Sequence, residues 1–150
     1  MKRGIFLSEF DTPITHKTFI KANREEVFNA MTTSEGLDGW FTQGTTVKLK
    51  PGGKMHLKWV NWGVDKVTTD AICPIIDVVF PEKFIFKWWE DHYTTVKMLF
   101  EEVEGGTIVT LKETGYLDTK EGHQRCLECA VGWGEALTLL KFYVEHNIRY

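Results

Sequence analysis

The clearest periodic pattern in the chain lies near its C-terminus, where apolar side chains recur in alternating steps of four and three. They occupy positions 126, 130, 133, 137, 140 and 144. This spacing places them on one face of a helix, which we expect to begin at Asp118 or Thr119. Because most of residues 45–114 have the pattern of strands, the helix has a sheet to cover.

The N-terminal part of the chain predicts one strand followed by two short helices. Residues 14–21 are rich in Thr, Phe and Ile with rough alternation, which is typical of a strand. Asn23 followed by Glu26 forms a capping-box pattern for the first helix. Ser34 is the expected cap of the second helix.

Alternating apolar and polar residues separated by turn residues predict a series of β-hairpins. Pro51-Gly52-Gly53 and Glu104-Gly105-Gly106 are strong turn sequences, and Asn61–Asp65 is expected to be a loop. Pro74 lies within a predicted strand and should mark a bulge or a sheet edge. The predicted strands cover residues 45–50, 54–60, 66–80, 83–90, 93–103 and 107–113.

This order of elements predicts an α+β fold in a single domain over residues 1–150. Helices should lie on one face of a curved antiparallel sheet of about six to seven strands, wrapped around the long C-terminal helix. Residues 1–12 are expected to be a loosely ordered lead-in.

Composition narrows the class of function. The net charge of −3 disfavours non-specific binding to nucleic acid, which requires a basic excess. No apolar stretch has the length of a membrane span, and the N-terminus lacks the apolar core of a signal peptide. Three cysteines without an export signal indicate a reducing cytoplasm and no disulfide framework.

The aromatic content points to a pocket. Six Trp, ten Phe and four Tyr supply more rigid apolar area than a core of this size needs. If the strand alternation holds, a set of large side chains points to the concave face of the sheet. A fully packed core is the alternative, and a shift of one residue in register would reverse the assignment. The set is Trp59, Phe86, Trp88, Met98 and Phe100.

Two glycines flank Trp133 inside the predicted C-terminal helix. Gly132 and Gly134 each cost roughly 1 kcal/mol relative to alanine in a helix interior. Either the helix backbone approaches the sheet closely there, or the glycines leave room beside the indole.

Candidate chemistry in the sequence is weak. His123, Cys126 and Cys129 form an H-x-x-C-x-x-C pattern, but a zinc site needs a fourth ligand, and a redox pair needs its first Cys at a helix N-terminus. We therefore expect no metal and no cofactor, with Cys126 as a small apolar residue facing the core. An acid–base pair of Glu113 or Asp70 with a tyrosine in the cavity stays open, although the sequence favours a protein that is not an enzyme.

The chain resembles the Bet v 1-like, or START-like, helix-grip superfamily (SRPBCC), and within it the group named after the C-terminal domain of the activator of Hsp90 ATPase. Residues 23–32 and 37–41 resemble the first two helices of that group, and 49–55 resemble its R-P-G-G-x-F hairpin. Residues 132–141 resemble its G-W-x-x-x-L-x-x-L closing helix. The similarity extends over about 13–147.

The resemblance implies a cavity between the sheet and the closing helix, where family members commonly hold lipids, steroids, polyketides or flavonoid-like aromatics. We therefore expect this chain to bind a hydrophobic or aromatic small molecule, with Trp40, Phe41 and Trp62 at the mouth of the cavity. Two alternatives remain: a protein-interaction module resembling a co-chaperone, and a small cyclase or hydrolase. We expect a monomer or weak dimer. The expected ligand-binding residues are Trp40, Phe41, Trp59, Trp62, Phe86, Trp88, Met98, Phe100, Trp133, Leu137 and Leu140.

Overall fold

The computed structural model describes residues 7–150, which form seven strands and three helices in that range. The elements in chain order are β1 (Ile14–Ile20), α1 (Arg24–Thr32), α2 (Ser34–Trp40), β2 (Thr46–Val47), β3 (Lys54–Trp62), β4 (Val67–Val79), β5 (Lys83–Trp88), β6 (Thr94–Val103), β7 (Gly106–Thr114) and α3 (Lys120–His146).

The strands form one antiparallel sheet in the order β1-β7-β6-β5-β4-β3-β2. The hairpins join strands that are neighbours in sequence. The strand β1 lies at one edge of the sheet and pairs with β7, from Ile14↔Glu113 to Ile20↔Thr107. Helix α3 packs against β1, α1 and α2. The predicted α+β architecture, with a curved sheet around a long C-terminal helix, is confirmed.

Local sequence signals account for the helix ends. The side chain of Asn23 accepts a hydrogen bond from the Glu26 N–H at 2.9 Å, as predicted. The prediction that Ser34 caps α2 is wrong, because the Thr33 hydroxyl accepts from the Gly36 N–H at 3.0 Å and Ser34 is already helical. Thr119 caps α3, one of the two predicted positions.

Two predicted strands have different limits in the structure. Only Thr46–Val47 of residues 45–50 pairs as a strand, because the rest of the segment leads into the Pro51-Gly52-Gly53 turn. Trp62, predicted in a loop, is the last residue of β3 and pairs with Val67 across a register shift. Gly52 has a φ of 81°, which explains the glycine at that turn.

Pro74 lies where β4 changes its partner. Residues up to Pro74 pair with β3, whereas pairing with β5 begins at Ile75, opposite Phe86. A register shift follows between Ile75 and Asp77, so the predicted bulge lies next to the proline. Since β5 ends at Trp88, the first half of β4 has no strand partner on that side, and the sheet opens there.

The core lies between the sheet and the three helices. On α3 the buried residues are Trp133, Ala136, Leu137 and Leu140, while the other members of the predicted stripe, positions 126, 130 and 144, are half-buried against the core. The alternation on β5 and β6 holds, because Phe84, Phe86, Val96, Met98 and Phe100 are all buried.

Part of the predicted lead-in is attached to the body of the protein. Positions 1–6 of it lie outside the described residues. Glu9 forms an isolated β-bridge with Leu117, and the ring of Phe10 stacks on His123 at 4.1 Å.

No helix within residues 7–150 is both long enough and apolar enough to cross a bilayer.

Candidate functional site

A cavity of about 740 Å³ opens where β4 separates from β5. Three segments form most of its walls: the β3–β4 hairpin, residues 88–91 at the end of β5, and residues 125–136 of α3. A volume of this size is typical of pockets that hold small organic molecules.

The walls of the cavity are mainly aromatic. Trp59 and Trp88 pack edge to face, with ring centroids 5.8 Å apart, and Trp88 lies 5.7 Å from Trp133. Phe41 packs edge to face on Trp59 at 5.3 Å. Five of the six tryptophans of the chain line the cavity, namely Trp59, Trp62, Trp88, Trp89 and Trp133.

Gly132 leaves space in the helical wall. A Cβ atom built at Gly132 meets no heavy atom within 4 Å, and the residue lines the cavity. Of the two explanations considered for the Gly-Trp-Gly sequence, the structure therefore supports room beside the indole and not a close backbone approach. Gly134 also has open space at its Cβ position, but it does not line the cavity.

Trp89 lines the cavity although the strand alternation did not identify it. Trp88 is the last residue of β5, and Trp89 has a φ of 64°, in the left-handed region. The chain therefore leaves the extended conformation at Trp89, and both indoles reach the same cavity. Two adjacent tryptophans at the end of a predicted strand were the only sequence signal for this arrangement.

Behind the aromatic wall lies a buried carboxylate. Glu113 on β7 is fully buried. Its Oε2 accepts hydrogen bonds from the Thr94 hydroxyl at 2.6 Å and the Tyr116 hydroxyl at 2.7 Å. Its Oε1 accepts from Trp133 Nε1 at 2.8 Å and from the Cys129 thiol at 3.3 Å. Four donors thus satisfy the carboxylate, as a buried charged group requires.

The donors to Glu113 remain protonated. Burial raises the pKa of the Cys129 thiol well above its ordinary value, and the nearby carboxylate of Glu113 raises it further. Burial likewise raises the pKa of the Tyr116 phenol. A protonated thiol is a poor nucleophile, so Cys129 acts as a hydrogen-bond donor. Because Glu113 and Tyr116 lie behind the cavity lining, this pair positions Trp133 and Cys129.

The other acid considered for an acid–base pair, Asp70, lies on the cavity wall. Its carboxylate contacts His56 Nε2 at 2.6 Å, and not a tyrosine.

An ion pair joins α3 to the segment after β5 at one end of the cavity. Arg125 Nη1 donates to both carboxylate oxygens of Asp91, at 3.0 and 2.9 Å, and the guanidinium lies 4.4 Å from the centre of the Trp89 ring. The hydrogen bonds from Arg125 hold the pKa of Asp91 below its ordinary value.

The residues predicted to bind a ligand divide into two groups. Phe41, Trp59, Trp62, Trp88 and Trp133 line the cavity. The remaining six are buried in the core and do not line the cavity; Phe100, for example, packs on Phe28 of α1 with ring centroids 5.0 Å apart. These six are Trp40, Phe86, Met98, Phe100, Leu137 and Leu140.

The residues of the H-x-x-C-x-x-C pattern make other contacts. His123 stacks on Phe10 and its Nε2 lies 2.7 Å from Asp118 Oδ1. Cys126 is half-buried against the core, as expected. Within residues 7–150, no group of three or more His, Cys, Asp and Glu side chains is arranged to hold a metal ion.

A curved antiparallel sheet closed by one long helix, with an aromatic cavity between them, defines a helix-grip protein. The chain belongs to the family of activator of Hsp90 ATPase homolog 1-like proteins, whose family model matches residues 21–145.

Solved structures share this fold. A protein of Bacillus halodurans is 28% identical with a TM-score of 0.75, over 93% of this chain and 100% of its own. The Aha1 dimer from Colwellia psychrerythraea is 20% identical with a TM-score of 0.77, over 91% of this chain and 98% of its own. DynU16, from the dynemicin biosynthetic locus, is 15% identical with a TM-score of 0.78, and this chain spans 50% of its length. No curated protein matches the sequence.

Proposed function

We propose that this protein binds a hydrophobic or aromatic small molecule in the cavity between the β3–β4 hairpin, the end of β5 and α3. The observation that carries the proposal is a cavity of about 740 Å³ with five tryptophans in its walls. Indoles provide large apolar area with little rotamer freedom to lose on binding. Burying apolar ligand surface against them yields about 25 cal/mol per Å², before the costs of immobilising the ligand.

Two of the wall indoles have an N–H group without an acceptor in the described part of the protein. Within residues 7–150, Trp62 Nε1 and Trp88 Nε1 are shielded from water and have no hydrogen-bond partner. An unpaired buried donor costs about 1–3 kcal/mol. A ligand oxygen can accept from either indole only if that ring turns towards the cavity, because neither nitrogen is exposed in this structure.

The structural neighbours are in line with a small-molecule ligand. DynU16 has the same fold and comes from a biosynthetic locus.

The direct test is a titration with N-phenyl-1-naphthylamine, a neutral apolar probe that becomes fluorescent out of water. We expect saturable binding with one site, and quenching of the tryptophan emission as the probe emission rises, because the indoles line the cavity. Native mass spectrometry of gently purified protein would show whether a small molecule co-purifies and at what mass.

A pair of variants localises the binding. Trp62 is half-buried, and its indole N–H makes no hydrogen bond in residues 7–150. Trp62→Ala should therefore weaken probe binding at least about tenfold, the usual scale for an aromatic contact residue. Phe142→Ala removes an exposed aromatic ring outside the cavity and should leave the affinity unchanged. Unsaturable binding, or equal effects of the two variants, would refute the proposal.

A further inference from the structure

The charged residues on the cavity wall are predominantly acidic. Four acidic residues and one arginine line the cavity within the described part of the chain. They are Asp70, Glu90, Asp91, Glu128 and Arg125.

Two of these carboxylates already have a basic partner. Arg125 donates two hydrogen bonds to Asp91. Asp70 contacts His56 at 2.6 Å, and it lies opposite Lys58 in the β3–β4 register.

The other two carboxylates lack a basic partner. Glu90 accepts a hydrogen bond from the backbone N–H of Ile72 at 2.7 Å, and Glu128 accepts from the Gln124 side-chain amide at 3.0 Å. Both donors are uncharged, and no Lys, Arg or His nitrogen of residues 7–150 lies within 4.0 Å of either carboxylate. Both residues line the cavity and are exposed, so they lie where it opens to solvent, which we call its mouth, and their negative charge is available to a ligand.

The protein itself shows how this environment holds a cation. The guanidinium of Arg125 lies 4.4 Å from the centre of the Trp89 ring while it bonds to Asp91. An indole face attracts a cation through its quadrupole, and an adjacent carboxylate adds Coulomb attraction. Glu90 and Glu128 line the same cavity as the indoles of Trp88 and Trp133. Within the described residues, no cation of the protein lies over either of these two rings.

We infer that the ligand of this cavity is an organic cation, an amine or quaternary ammonium attached to an aromatic or alkyl body. This inference rests on the proposed function. The apolar body lies among the indoles, and the positive group lies at the mouth with the carboxylates of Glu90 and Glu128. An anionic ligand of the same shape meets uncompensated negative charge there, so the site selects against it.

The test compares three probes that share a naphthalene ring and differ in charge: (2-naphthylmethyl)trimethylammonium, 2-naphthylmethanol and 2-naphthoate. Each displaces N-phenyl-1-naphthylamine in a competition titration. At low ionic strength we expect the cation to bind at least about fivefold more tightly than the alcohol, and the carboxylate to bind most weakly. Added salt should reduce the advantage of the cation, because both carboxylates are exposed.

Matched charge variants assign the preference to these two residues. The double variant Glu90→Gln with Glu128→Gln removes both charges and keeps an oxygen acceptor for Ile72 and Gln124. It should lose the preference for the cation, so that the cation and the alcohol bind with similar affinity. Glu135→Gln removes an exposed charge on α3 outside the cavity and should retain the preference.

The outcomes separate the two claims. If the alcohol binds as tightly as the cation, or if Glu135→Gln acts like the double variant, the cation inference is wrong and the cavity stays a binding site. If neither N-phenyl-1-naphthylamine nor any of the three probes binds, the proposed function itself is wrong.

Discussion

Gly132 is the position at which stability and ligand binding should change in opposite directions. It lies inside α3, where glycine costs about 1 kcal/mol relative to alanine. Because its Cβ position has no heavy atom within 4 Å, a side chain there meets no steric obstacle at its first carbon. Gly132→Ala should raise the free energy of unfolding by about 0.5–1 kcal/mol, which corresponds to roughly 1–4 °C in Tm at this size.

Gly132→Leu places a larger side chain at the same position, and this side chain should reach into the cavity. Leucine is nearly as good a helix former as alanine, so the variant should be at least as stable as the parent protein. Its branched end occupies space within the cavity of about 740 Å³ beside Trp133. We expect binding of N-phenyl-1-naphthylamine to weaken at least about tenfold, which equals about 1.4 kcal/mol.

Gly134→Leu is the matched control. Gly134 lies in the same helix, also has open space at its Cβ position, and does not line the cavity. Thermal unfolding and probe titration of both variants provide the comparison. Similar binding losses in the two variants, or parent-like binding in Gly132→Leu, would refute the placement of the site. A lower Tm for Gly132→Ala would refute the open geometry of the helical wall.

Three further predictions concern the buried carboxylate, the ion pair and the cysteines. Glu113→Ala leaves several buried donors unpaired and should lower the free energy of unfolding by about 3–5 kcal/mol in urea denaturation, whereas Glu113→Gln should cost only about 1–2 kcal/mol. Because Arg125 lowers the pKa of Asp91, the ion pair stabilises the fold above the ordinary Asp pKa, and this stabilisation is lost as pH falls through the lowered pKa. Asp91→Asn should therefore lower Tm slightly at neutral pH, which corresponds to less than about 1 kcal/mol of stability. It should leave Tm unchanged once the pH is below the lowered pKa of Asp91, and an equal loss at both pH values would contradict the assignment. Burial raises the pKa of Cys73 to about 12, so iodoacetamide should modify half-buried Cys126 at least about tenfold faster than Cys73 in the native protein, as measured by peptide mass spectrometry; the reverse order would contradict the burial.

The elements that the sequence predicts well are those that depend on local interactions. The capping of α1 by Asn23 needs only the Glu26 N–H three residues later. The stripe of α3 follows from helical period, and the faces of β5 and β6 follow from alternation. The wrong cap at Ser34 is a local error of one residue, because Thr33 offers the same hydroxyl chemistry one position earlier.

The division between core and cavity could not be predicted in this way. Trp88 and Phe86 share one face of β5, yet Trp88 lines the cavity and Phe86 is packed. The difference arises where β4 leaves β3 at Pro74 and pairs with β5 only from Ile75. Alternation states which face a residue occupies, but not whether another element covers that face.

Sequence patterns alone are enough to predict the order of elements, the family, the amphipathic face of α3 and the many aromatic residues on the surface that it covers. The three-dimensional fold was needed to show three further features: the sheet opens along the first half of β4, before Ile75, Trp89 lies in the cavity wall, and Glu113 accepts hydrogen bonds from four donors behind the wall. Periodicity and capping arise from contacts a few residues apart, which the sequence displays directly. A cavity arises from the distance between elements far apart in the chain, which depends on how the whole sheet bends around the helix.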